Sequence, residues 1–235
     1  MPEIIPAILP QSYEDLKNKI AIVRGFVPMV QIDLCDEDFA PSATWPFSED
    51  GINEYHFKKI LNEEEGLPFW EDIEFELDLL VSDAVENFDI YNKLGAKRLI
   101  FHIEAVVKED KSVEDFKNFL EGIDPYIRDL MDIGVALNPS TPLENIYPII
   151  SSVDFVQFMG NNEIGFHGKE LDEKVFEKIK NLKEKYPDVK VAVDIGVNED
   201  TAPALLSAGA DKLIIGSAIY KATDIIGKIE EFRNL

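Results

Sequence analysis

Eight short apolar runs rich in β-branched residues alternate with eight amphipathic stretches, and this alternation predicts a (β/α)8 TIM barrel. The length agrees: 235 residues is close to the roughly 250 of one such barrel. A third observation is the placement of two aspartates. Asp33 ends the run Val27–Asp33 and Asp194 ends Val189–Asp194. Barrels carry their chemistry at the C-terminal ends of their strands. An open doubly wound sheet would more often show an early G-x-G-x-x-G turn, which this sequence lacks.

Taken in order, strands are expected at Glu3–Leu9, Val27–Asp33, Ile73–Val81 and Arg98–His102, then at Ile133–Leu137, Phe155–Met159, Val189–Asp194 and Lys212–Ile215. Helices are expected at Tyr13–Val23, Glu54–Asn62, Ala84–Leu94 and Val113–Leu130, then at Pro142–Ser151, Glu170–Tyr186, Ala202–Ala208 and Ile219–Phe232. Gly95 and Gly209 each end a helix pattern before a strand, the position of a left-handed cap. The stretch Phe39–Trp70 is long for a βα connection. Its Pro41, Pro46, Gly66 and Pro68 suggest one helix and an extended loop over one rim. No linker or change of composition marks a boundary, so residues 1–235 are expected to form a single domain.

Composition narrows the partners. Forty-six acidic against 23 basic residues give a formal net charge of −23. Such a field repels nucleic acid and anionic membrane surfaces. It also repels phosphorylated ligands at long range, so an anion site has to be built locally. One cysteine, Cys35, excludes an intrachain disulfide. No apolar run reaches 18 residues, and the first residues lack a secretory pattern, so a cytoplasmic protein is expected.

Three features could carry chemistry. Asp33 and Asp194 could abstract a proton from one face of a carbon and return one to the other. Taken singly, either could equally be a loop cap or a buried salt-bridge partner. Two glycine turns, Asp194-Ile195-Gly196-Val197 and Ile215-Gly216-Ser217-Ala218, follow strands seven and eight. Barrels commonly bind phosphate there, on backbone N–H groups and a short helix N-terminus. The loop from Gly160 to Lys169, with Gly165, His167 and Gly168, suits a mobile lid or a plain surface loop. His102 ends strand four and His56 lies on a helix; no histidine pair has zinc-type spacing, and no G-x-S-x-G elbow is present.

These residues fall into segments that resemble the ribulose-phosphate 3-epimerase family nearly end to end. Pro6-Ala7-Ile8-Leu9 resembles P-S-I-L. Gln31-Ile32-Asp33-Leu34-Cys35-Asp36 resembles H-x-D-x-M-D, with Phe39-Ala40-Pro41 as the following F-x-P. Leu77–Val81 resembles V-H-L-M-V, and His102-Ile103-Glu104-Ala105 matches H-x-E-A. Leu137–Pro142 matches L-N-P-x-T-P. Val193–Val197 resembles V-D-G-G-V, and Gly216–Tyr220 matches G-S-A-I-F. The L-N-P-x-T-P and G-S-A-I segments are the most specific.

The resemblance implies an isomerase that epimerises C3 of a pentulose 5-phosphate through an enediolate. Asp33 and Asp194 would be its acid and base, with a divalent metal held by those aspartates and two histidines. Both histidine positions differ here: they carry Gln31 and Asp78. The serine near the substrate is Ala7, a methionine is Cys35, and the first glycine of the seventh-strand pair is Ile195. The implied metal set is therefore Gln31, Asp33, Asp78 and Asp194, all oxygen, which favours Mg²⁺ or Mn²⁺ over Zn²⁺. Without a metal, at least one of the three carboxyls would have to be neutral. Ala7, His102, Gly165, Gly168, Gly196, Gly216 and Ser217 are expected around the substrate and its phosphate. Expected partners are a small phosphorylated sugar and further copies of the chain. Two other readings keep the barrel: a phosphosugar lyase or synthase, weakened because no lysine follows Asp78 on its strand, and a non-catalytic binding role, which would not need paired carboxylates.

Overall fold

The computed structural model describes residues 1–48, 51–108, 111–166 and 168–235. Eight parallel strands close into a barrel in sequential order, the eighth pairing with the first. The strands are β1 Glu3–Ile8, β2 Met29–Cys35, β3 Glu74–Leu80 and β4 Arg98–His102, then β5 Asp132–Leu137, β6 Phe155–Met159, β7 Lys190–Asp194 and β8 Lys212–Ile215. The first helices are α1 Tyr13–Val23, α2 Tyr55–Leu61, α3 Phe88–Asn92 and α4 Ile103–Val106. They are followed by α5 Val113–Gly122, α6 Pro125–Leu130, α7 Lys174–Lys185, α8 Ala202–Ala208, α9 Ser217–Tyr220 and α10 Ile225–Arg233. Among the described residues, no helix is long and apolar enough to cross a membrane.

Local chemistry sets these boundaries. Ser12 accepts a hydrogen bond from the Asp15 N–H and starts α1. Ser112 and Asp115 form a reciprocal capping box on α5. Gly209 ends α8 at φ 118°, the left-handed cap expected from the sequence. Expected helices Ala84–Leu94 and Glu170–Tyr186 shorten to α3 and α7, and three others break or rewind. The span Val113–Leu130 breaks into α5 and α6, because Pro125 has no N–H to continue the ladder and Asp124 caps a new start. The span Ile219–Phe232 becomes α9 and α10, with Asp224 capping the second. Leu143–Ile149, which contains Pro148, winds as a 3₁₀ helix.

Strand alternation sorts side chains into two apolar bodies. Outward residues such as Ile8, Ile32, Leu77 and Val193 pack against the helices in the large outer core. Inward residues such as Ile5, Met29, Ile100, Phe155, Ala192 and Ile214 fill the barrel itself. At the N-terminal end the interior is closed by ions. Arg98 bridges Glu3 and the fully buried Glu76, and Lys212 lies over the Phe155 ring. Toward the C-terminal end the inward positions turn polar: Gln31, Asp33, Asp78, His102, Gln157 and Asp194 are all buried. The long β2–α2 segment covers one side of that rim. Its Trp45 is fully buried and donates through Nε1 to Glu54 at 2.8 Å.

Candidate active site

Sheet register brings the three aspartates together. Asp33 and Asp78 are paired neighbours on β2 and β3, and Asp194 is the last residue of β7. Asp33 lies two residues before the end of β2, not at its end as the sequence suggested, because Leu34 and Cys35 continue the ladder. Carboxylate oxygens of Asp33, Asp78 and Asp194 all lie within 4.8 Å of one another. Asp33 and Asp194 open into a cavity at the C-terminal end of the barrel. Asp78 is fully buried behind them.

Each carboxylate has its own partners. Gln31 donates through Nε2 to Asp33 Oδ1 at 2.7 Å and to Asp194 Oδ2 at 2.9 Å. The Ile195 N–H donates to the other oxygen of Asp194 at 2.6 Å. His102 Nε2 meets Asp78 Oδ1 at 2.9 Å, and Gln157 Nε2 lies 3.4 Å from Oδ2. Thr44 Oγ1 donates to the Asp33 carbonyl and accepts from the Cys35 N–H, which fixes the strand end that carries Asp33.

Burial and neighbouring charges raise Asp33 and Asp194. Burial is the main cause for Asp33, followed by the charges of Asp194 and Asp78; its carboxyl stands well above the usual range. Asp194 is pushed up to about 7 by burial and by Asp78, against the opposing hydrogen bonds from Gln31 and Ile195. Burial alone would lower His102; the charge and hydrogen bond of Asp78 outweigh it, and the imidazole is raised. Three ionised carboxylates this close are costly without compensation. Either protons or a cation must supply it. The donor set fits a divalent cation, with Asp33, Asp78 and Asp194 as its oxygen ligands.

Most expected site residues line the cavity: Ala7, Gly165, Gly168, Gly196, Gly216 and Ser217, with the two aspartates. Two are placed differently from the others. Gln31, expected among the oxygen ligands, turns its amide nitrogen to the carboxylates, and its Oε1 is buried without a partner. It is a bridge between two acids. His102, expected beside the substrate, is fully buried and supports Asp78 from behind. His167 lies outside the described residues. The sequence reading missed Gln157, although a polar residue at an inward position of the apolar run Phe155–Met159 was a readable signal. It also missed the apolar walls Leu80, Met159 and Ile214.

The motifs that follow β4 and β5 join as a clasp beside the site. Glu104 Oε1 accepts from the Asn138 N–H at 2.8 Å and from the Thr141 hydroxyl. Lys178 of α7 donates to the carbonyls of Asn138, at 2.8 Å, and Thr141. Glu104→Ala leaves the Asn138 N–H and the Thr141 hydroxyl unmatched and should cost about 2–4 kcal/mol. Urea unfolding should show a lower midpoint at unchanged slope; an unchanged midpoint would remove the clasp from the stability of the fold.

The ribulose-phosphate 3 epimerase family profile matches residues 3–220. The ribulose-phosphate 3-epimerase of Bacillus subtilis (strain 168) is 28% identical over 240 residues, covering 99% of both chains. That of Methanocaldococcus jannaschii is 31% identical over 240 residues, covering 99% of this chain and 90% of the relative. Among solved structures, KGPDC from Streptococcus mutans superposes with a TM-score of 0.67 at 16% identity, covering 100% of this chain and 96% of that one. The 3-hexulose-6-phosphate synthase from Salmonella typhimurium gives 0.67 at 14%, covering 100% and 97%. At that identity the structures share the fold alone. With the family profile spanning the barrel and the paired aspartates in place, the chain belongs to the ribulose-phosphate 3-epimerase family.

Proposed function

We propose that this chain is a cytoplasmic, single-domain phosphosugar epimerase that interconverts ketopentose 5-phosphates by inverting C3. The observation that carries the reading is the pair Asp33 and Asp194, bridged by Gln31 and facing one cavity that Gly196, Gly216 and Ser217 also line. The names of the relatives support the same substrate class.

The chemistry follows from the site. An acid–base pair needs one carboxyl protonated and the other ionised, and burial with the charges of neighbouring carboxylates pushes both Asp33 and Asp194 upward, the direction that favours it. The ionised aspartate takes the C3 proton from one face. The protonated one delivers its proton to the opposite face, and the reverse reaction exchanges their roles. Gln31 holds both carboxyls in register through the exchange. Backbone N–H groups at Gly196, Gly216 and Ser217 hold the phosphate. A divalent cation on Asp33, Asp78 and Asp194, Mg²⁺ or Mn²⁺ in preference to Zn²⁺, would offset negative charge developing on the substrate oxygens.

The direct test is ribulose 5-phosphate in D₂O with Mg²⁺ or Mn²⁺ present. Xylulose 5-phosphate carrying deuterium at C3 is expected; absence of both product and exchange overturns the reading. Metal analysis of protein purified without chelator should find Mg²⁺ or Mn²⁺, and stoichiometric tight zinc would count against the oxygen set.

The anion site gives a further expectation. Inorganic phosphate should bind at the glycine turns and bind better as salt rises from very low to moderate levels, because screening weakens the repulsion of a −23 chain. Gly216→Val should weaken it far more than Lys169→Ala. Equal affinities in the two variants would place the anion elsewhere.

A further inference from the structure

Ile195 stands in a conformation its side chain disfavours. Four non-glycine residues among those described have positive φ: Glu37, Glu63, Phe69 and Ile195. Of these Ile195, at φ 69°, alone is β-branched and alone lines the cavity. A β-branched residue there is strained, and such strain persists only where the surroundings over-determine it. Here they do. The Ile195 N–H is held by Asp194 Oδ1 at 2.6 Å, and the Asp194 carbonyl by the Gly160 N–H at 2.6 Å. The Ile195 carbonyl presses on Gly160 so closely that a Cβ there would lie 1.8 Å from it. The next residue, Gly196, is left-handed as well, at φ 75°.

This backbone aims a four-carbon side chain at one place. Ile195 packs on the apolar interior of the barrel and lines the same cavity as Asp194 and Gly196, its neighbours in the chain. On the reading above, the reacting carbon sits at Asp194 and the phosphate at the Gly196 turn. The carbons that join them therefore run past Ile195. A glycine at this position would relieve the strain and leave that span open.

We propose that Ile195 is a specificity-determining residue that limits the carbon chain between the reacting carbon and the phosphate, so that the site accepts a five-carbon ketose phosphate and rejects a six-carbon one. The inference rests on the proposed function for the polarity of the bound substrate. On this reading the Ile195 side chain faces the linking carbons and moves no proton. A fixed apolar wall discriminates by about 10–200-fold for one extra carbon.

Binding of unreactive polyol phosphates tests the wall separately from turnover. Calorimetric Kd values for a pentitol 5-phosphate and a hexitol 6-phosphate should be compared in wild type, Ile195→Ala and Ile195→Gly, each with Mn²⁺ present. Wild type should favour the five-carbon ligand by at least about tenfold. The preference should shrink in Ile195→Ala and fall to within about threefold in Ile195→Gly, through tighter binding of the longer ligand. The same ratio in all three proteins, or no binding of either ligand to wild type, overturns the proposal. Discrimination by wild type that is lost in Ile195→Gly, together with no C3 exchange on ribulose 5-phosphate, would sustain the wall while refuting the epimerase reading.

Discussion

Asp194→Asn should slow C3 proton exchange by about 10²–10⁴-fold while the barrel stays folded. The amide has the size of the carboxylate and can still accept from the Ile195 N–H, with its NH₂ then facing Gln31, whose own amide must turn to present Oε1; it cannot take a proton at working pH. Its loss also removes one of three crowded buried charges, so the melting temperature should hold or rise. Asp33→Asn should show a comparable loss, since each acid serves one face of the carbon. NMR of ribulose 5-phosphate and xylulose 5-phosphate in D₂O reads both losses. A variant that retains one half-reaction would wash deuterium into one epimer without producing the other. Wild-type exchange in Asp194→Asn would take that residue out of the mechanism.

Chelator-treated protein should become less stable as pH rises, the reverse of ordinary acid denaturation. Asp194 moves from 3.8 to about 7 on folding, and Glu76 from 4.5 to about 7. Burial dominates both shifts; for Glu76 the charges of Lys212 and Arg98 offset part of it. A raised folded pKa adds stability that is complete below the unfolded pKa and disappears as pH rises through the folded one. At about 1.4 kcal/mol per pKa unit, each group is worth about 3–4 kcal/mol between about pH 4 and pH 8. Asp33 shifts in the same direction. A cation on the carboxylates competes with their protons, so saturating Mn²⁺ should restore stability mainly at the alkaline end, by about 3 kcal/mol at 100 times its Kd. Glu76 belongs to the opposite end of the barrel and is no ligand. Its share of the slope should persist with Mn²⁺ and vanish in Glu76→Gln. Urea titrations at each pH, with and without Mn²⁺, measure all of this. A flat profile in chelator would show that the acids are not raised.

Much of the architecture was readable because strand periodicity and barrel closure follow from local pattern. Arg98–His102, Phe155–Met159 and Lys212–Ile215 appear with the expected limits, and so does helix Ala202–Ala208. The pair Asp33 and Asp194 was readable for the same reason: a carboxylate closing an apolar run is conspicuous. What escaped depends on orientation. Gln31 carries both an acceptor and two donors, and only the geometry of its neighbours decides which end faces the carboxylates. His102 sits at a strand end like a site residue, yet Asp78 across the β3–β4 pair captures its ring. The backbone of Ile195 had one signal, the glycine that stands at its position in the resembled family; isoleucine itself, a strand former, points the other way. The break at Pro125 was written in the sequence, although amphipathic periodicity runs across it.

Closure of the barrel has a consequence for how copies of this chain can meet. Every strand already has two neighbours, β8 returning to β1. Among the described residues no row of unpaired strand amides is left to template another strand, so the edge-to-edge pairing that open sheets must guard against has no open barrel edge to use. The homo-oligomer expected from the sequence would have to be assembled from helix faces and rim loops, across surfaces of a chain carrying −23. Self-association should therefore be weakest in dilute buffer and strengthen with ionic strength, and any subunit contact should leave the strand ladder untouched.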